Sequence, residues 1–128
     1  DIINVAGHRL SSSAMEEVLA SHVAVAECAV IGMADELKGQ TPVGFVVLKS
    51  GATTSPEDLC AELIAAVRAQ IGPVAAFKRV HVLGKLPKTR SGKILRKTIR
   101  EIADGEVPLV PPTIEDASVI DEIKGIFA

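Results

Sequence analysis

Nine residues concentrate the chemistry of this chain: Leu86-Pro87-Lys88-Thr89-Arg90-Ser91-Gly92-Lys93-Ile94. Three cations and two hydroxyls stand beside a proline and a glycine. Cations packed this densely suit an anionic partner. Gly92 lets the backbone take conformations that other residues resist. Apolar side chains then recur in three- and four-residue steps (Ile94, Leu95, Thr98, Ile99, Ile102, Ala103), which predicts a helix directly after the loop. Lys93 would sit at its mouth. Helix N-termini favour anions, so a lysine there serves something outside the helix. The plainer alternative is a solvated basic loop capping a helix. A Walker A loop is excluded: Gly84 and Gly92 lack its spacing, and Ile94 follows the lysine.

The wider charge pattern points the same way. The net charge is −2, yet residues 78–100 hold nine of the 14 Lys and Arg residues and no Asp or Glu. Such a run implies an anionic partner. No aromatic side chains interleave it to stack on bases, so a nucleotide fits better than a nucleic acid. A solvated face is the alternative for Lys78, Arg79, Arg96, Lys97 and Arg100 individually. Cys28 and Cys60 have neither short spacing nor a flanking His cluster, which argues for free thiols rather than a zinc site. Glu16 and Glu17 read as helix-start acids, and His8 and His81 carry no specific signal.

The elements that must position these groups read as follows. Residues 2–10 suggest two short strands around a turn at Ala6-Gly7. Ser13 and Glu16 have capping-box spacing, opening a short helix that ends near His22. Val23 to Met33 and Pro42 to Lys49 read as a pair of buried strands around a polar turn, with Pro42 at a strand start or edge. Ser55-Pro56-Glu57-Asp58 is a helix start, and Gly72-Pro73 is its stop. Arg79 to Leu83 alternates as a further strand. Gly105, Pro108, Pro111 and Pro112 mark an extended tail, with a last helix over Val119 to Phe127. The expected class is α+β: a small, mostly antiparallel sheet of about three strands flanked by helices, with an N-terminal β-hairpin. At 128 residues, one domain is expected. It divides into hairpin 1–10, core 11–103, and tail with short helix 104–128. With 48% hydrophobic but only 2% aromatic residues, the core should be aliphatic. No apolar run approaches the ~18 residues of a membrane span, and no signal peptide is evident. The expected location is therefore the cytoplasm, or the mitochondrial matrix for a eukaryotic source. Asp1 in place of an initiator Met, and strand-like residues from Ile2 onward, read as a domain cut from a longer protein.

Pro87-Lys88-Thr89-Arg90-Ser91-Gly92-Lys93 resembles the catalytic-lysine motif of the adenylate-forming ligases, specifically short-chain acyl-CoA synthetases. Asn4-Val5-Ala6-Gly7-His8-Arg9 is similar to the hairpin that follows their hinge. Ile71 to Phe77 and Thr113-Ile114-Glu115-Asp116 most resemble the propionyl-CoA synthetase branch, with acetyl-CoA synthetase the alternative. The resemblance covers essentially the whole chain and implies the mobile C-terminal domain, whose partner is the enzyme's own large N-terminal domain. It implies ATP, Mg²⁺ and coenzyme A, with a small carboxylic acid as substrate. By resemblance Lys93 is catalytic and Arg9 faces the nucleotide phosphates. Ala6 and Gly7 line the pantetheine path, and Arg68 meets the 3′-phosphate of coenzyme A. Ala20, His22 and Val25 match a structural Mg²⁺ site of some relatives. Each has a structural alternative: a strand arginine in an ion pair, a hairpin turn, dipole compensation at a helix end, and a helix-end histidine. The family's hinge residue precedes the position of Asp1, so no hinge role falls to it.

Three functional classes follow. The first is a ligase whose isolated C-terminal fragment is inactive. The second is a module whose Lys93 is a target of a lysine acyltransferase and deacylase, acylation removing the charge that adenylation needs. The third, a nucleic-acid-binding domain, would show steep salt dependence and is disfavoured on composition, as is a membrane role.

Overall fold

The computed structural model describes residues 2–128; Asp1 lies outside them. The elements run β1 (Ile2–Val5), β2 (His8–Ser11), α1 (Ser12–Ala20), β3 (Val25–Asp35), β4 (Gly39–Leu48), α2 (Pro56–Gln70), a 3₁₀ turn (Pro73–Ala75), β5 (Arg79–Val82), α3 (Arg96–Ala103) and α4 (Ser118–Ile126). The α+β expectation holds, with one enlargement. The N-terminal hairpin joins the sheet, giving five strands in the order β2-β1-β4-β3, with β5 also on β4. All pairings are antiparallel except β4–β5, which is parallel.

Strand β4 is the spine. β3 lies along one edge of it from Leu48 to Gly39. The other edge is shared: among the described residues β1 pairs with it only at Gly39, and β5 runs along Val43 to Val46. Both faces of this centre are covered, which is why β3 and β4 read as unbroken apolar runs rather than alternating ones. Val30 and Val46 point to one face, packed by Met15 and Leu19 of α1 and Leu59, Leu63 and Val67 of α2. Ala29, Ile31, Val43 and Phe45 point to the other, against Ile99 and Ile102 of α3 and Ile120 and Ile123 of α4.

Pro42 lies inside β4, opposite Gly32, not at its start. Val30 and Ala34 of β3 turn their N–H groups outward, to Glu16 and Asp104 at 2.8 Å each. By the alternation of an antiparallel ladder, Pro42 therefore faces away from β3. Its missing N–H falls in the gap between β1 and β5, where no strand needs it. The two outward N–H groups of β3 belong to an edge strand, and the acids from α1 and α3 close them off.

Two helix starts differ from expectation. Ser11, not Ser13, caps α1, its Oγ accepting from the N–H of Ala14 at 3.2 Å. Glu16 is thereby released from a capping box to reach across to β3. Helix α3 begins at Arg96 rather than Ile94. Ile94 bridges Lys88 as in a strand pair, and Leu95 N–H donates to the carbonyl of Pro87 at 2.9 Å. The N–H groups of this stretch are committed to pairing. In contrast, α2 starts as read, with Ser55 Oγ accepting from Asp58 N–H and Pro56 at the first position.

Candidate functional site

The loop carrying Lys93 is a small closed hairpin. Lys88 pairs with Ile94, and Thr89 N–H donates to Lys93 O at 2.9 Å. Thr89 Oγ1 accepts from Lys93 N–H at 3.1 Å and lies 2.9 Å from Ser91 Oγ. Gly92 turns the chain with φ of 93°, where a side chain would be strained. The Lys93 side chain is exposed and has no ion-pair partner among the described residues. Its position differs from expectation in one respect. It precedes α3 by three residues, so the loop rather than a helix mouth sets its direction.

The basic run around it separates into two populations. Arg79 lies over the ring of Phe127 and beside His81 and Met33. Lys88 reaches Glu27 at 2.5 Å, and Lys85 lies 3.4 Å from Asp116. Arg96 grips Glu16 as a fork, at 2.9 and 2.7 Å. This pairing holds the guanidinium protonated still more firmly than usual. These four cations are structural. Lys78, Arg90, Lys93, Lys97 and Arg100 are exposed and have no ion pair among the described residues. They make the exposed, unpaired part of the run among the described residues. An open groove of about 700 Å³ is lined by residues 93–98 on one side and 109–112 on the other.

The second presenting element is the tip of the β1–β2 hairpin. Ala6 and Gly7 form the entire turn, both with positive φ (51° and 87°), as the tight turns of twisted hairpins require. Ala6 N–H donates to Lys38 O at 2.7 Å, which ties the tip to the β3–β4 turn. An alanine in the left-handed region is strained. A Cβ on Gly7 would meet nothing within 4 Å, so packing within the chain does not demand the missing side chain. Arg9, two residues on, is exposed opposite Asn4. The ion pair offered as its structural alternative is absent among the described residues.

Arg68 stands exposed in the last turn of α2, again without an ion pair among the described residues. At the α1–β3 turn, His22 Nδ1 accepts from Ala24 N–H at 3.0 Å, and Nε2 lies 2.9 Å from Glu62 Oε1. The His22 carbonyl accepts from Val25 N–H at 3.1 Å. In this arrangement the imidazole has no lone pair left for a metal.

Both thiols are free and half-buried. Cys28 donates to Glu16 O, and burial, with the Glu16 carboxylate beside it, pushes its pKa up to about 11. Cys60 donates to Val80 O and is likewise raised by burial. Neither has thiolate character at neutral pH, which a nucleophile needs.

Sequence reading missed the roles of Glu16 and Glu27, the acids that fasten the two ends of the lysine loop region. The missing signal is long-range: Glu16 and Arg96 are 80 positions apart. The absence of any acid between 78 and 100 was the available hint, since partly buried cations there had to find carboxylates elsewhere.

Comparison with known proteins agrees with the α+β fold. Residues 14–93 match the family described as AMP-binding enzyme C-terminal domain. An uncharacterized protein of Pseudomonas aeruginosa is 59% identical over 124 residues, 97% of this chain and 20% of its own length. The mitochondrial acyl-CoA synthetase short-chain family member B of Dictyostelium discoideum is 55% identical over 123 residues, 96% of this chain and 18% of its own. The crystal structure of a Brucella canis acyl-CoA synthetase superposes with a TM-score of 0.72 at 35% identity, covering 80% of this chain and 19% of that one. The chain thus spans about a fifth of the length of the relatives it matches.

Proposed function

Because the chain belongs to the AMP-binding enzyme C-terminal domain family, we propose that it is the mobile C-terminal domain of an ATP-dependent short-chain acyl-CoA synthetase. In the proposed reaction a carboxylate oxygen attacks the α-phosphorus of ATP, pyrophosphate leaves, and an acyl-adenylate forms. The thiol of coenzyme A then attacks the acyl carbon, and AMP leaves with the bonding pair. Mg²⁺, where bound with ATP, offsets phosphate charge.

The observation that carries the reading is Lys93: exposed, without an ion pair among the described residues, and held on a closed loop. Its ammonium offsets the repulsion between the incoming carboxylate and the phosphoryl oxygens and stabilises the charge that builds in the first step. Arg9 offers a planar fork suited to phosphate on the nucleotide side. Ala6 and Gly7 give a tip without bulk along which a pantetheine arm passes, and Arg68 meets the 3′-phosphate of coenzyme A. The exposure of Lys93 also makes it open to a lysine acyltransferase, and acylation would remove the charge the first step uses. Propionate is the favoured acid, on the resemblance of Ile71 to Phe77 and Thr113 to Asp116, with acetate second.

The test is an assay of the full-length parent with ATP, coenzyme A and each short-chain acid in turn, beside the 128-residue chain alone. Thioester and AMP formation by the parent, fastest with propionate, and none by the fragment is the expected result. Turnover by the fragment, or a parent that activates no short-chain acid, would refute the reading.

A further inference from the structure

The lysine loop is paired on both sides, and its second partner comes from the tail. Segment 88–90 bridges Ile94 at one edge and Ile114 at the other. Arg90 N–H donates to Thr113 O at 3.0 Å, and Glu115 N–H donates to Lys88 O at 2.8 Å. Residues 113–115 thus form the third strand of a miniature sheet whose middle strand leads into Lys93.

That third strand is itself anchored. Upstream, Leu109 is tied to α3 by both its backbone groups: its N–H donates to Glu101 Oε1 and its carbonyl accepts from Thr98 Oγ1, each at 3.0 Å. Ile114 packs on the core between the sheet and helices α3 and α4. Downstream, Asp116 accepts from Ser118 N–H and Oγ at the start of α4, whose Val119, Ile120 and Ile123 are buried. The family match ends at Lys93, so this frame is built by residues beyond it.

We propose that residues 113–115 are a positioning element for Lys93, fixing where its side chain starts and thereby the rate of the adenylation half-reaction. This rests on the function proposed above. A misplacement of about 1 Å of a reacting group can cost on the order of 10² in rate, and here only Ser91 and Gly92 separate the paired segment from the lysine.

The test is made in the full-length parent enzyme. Glu115→Pro removes the N–H that Lys88 O receives, while Ile114 is bridged to Thr89 as in a strand pair, the kind of residue that a following proline accepts. Glu115→Ala keeps that N–H and is the control. The expected result is adenylation slowed about 10-fold in E115P and within about 2-fold of wild type in E115A, with thioester formation from supplied acyl-adenylate unchanged in both. Equal adenylation rates for E115P and E115A, with Lys93→Ala inactive in that step, would overturn the proposal alone. Retained adenylation in Lys93→Ala would strike the functional reading beneath it. If E115P loses both half-reactions, Ile114→Ala decides, since it trims the anchor and leaves the backbone bonds in place. A few-fold loss confined to adenylation supports the proposal, and no change overturns it.

Discussion

At the β1–β2 tip, two residues make the whole turn; at the lysine loop, the seven residues from Lys88 to Ile94 close on themselves and then lean on three other parts of the chain. The tip is held by local geometry. Its two positive φ angles and one short bond to Lys38 O are enough. The lysine loop depends on Glu27 of β3, on Glu16 through Arg96, and on the tail at Thr113 and Glu115. A fixed tip suits a channel wall past which a flexible arm slides. A loop braced from outside suits a single charge that must arrive in one place.

The contrast predicts that damage at a distance reaches the lysine loop and spares the tip. Glu16→Ala is expected to have the largest effect on stability. It leaves the Arg96 fork and the Val30 N–H without their acceptor. Charge-assisted bonds of this kind contribute ~1.5–3 kcal/mol when buried, and the partial exposure of both partners lowers that. A loss of about 2 kcal/mol in urea unfolding of the chain is expected. A loss below about 0.5 kcal/mol would mean that the brace is ornamental.

The tip should respond in the opposite sense and more weakly. A left-handed alanine costs ~1–2 kcal/mol, and the added unfolded-state freedom of glycine offsets ~0.4–1 of that. Ala6→Gly is therefore expected to stabilise the chain by about 0.5 kcal/mol in the same measurement. Destabilisation by that substitution would show that the turn owes its shape to contacts rather than to its own backbone.

The same contrast explains what could be read from sequence. Ala6-Gly7 between strand-like runs is local information, and the hairpin appeared where it was expected. So did α2, whose Ser55 cap and Pro56 lie side by side in the chain. The lysine loop's exposed cations were legible in its composition, but its geometry was misread as a helix mouth. The periodicity of Ile94 and Leu95 continues that of α3, whereas strand pairing with Lys88 and the bond to Pro87 O hold those residues outside the helix. Pro42 shows the same limit. Its tolerance inside β4 depends on β1 leaving at Gly39 and β5 arriving at Val43, facts about neighbours that no local pattern contains. The parallel pairing of β5 and the brace at Glu16 belong to that class too.

The central claim is that the exposed ammonium of Lys93 acts in one half-reaction and not in the other. Its most direct test is Lys93→Ala in the full-length parent, with the rates of adenylate formation and of thioester formation from supplied acyl-adenylate measured separately. The account predicts a fall on the order of 10²–10³ in the first and no change in the second. Equal losses in both, or an undiminished first step, would contradict it.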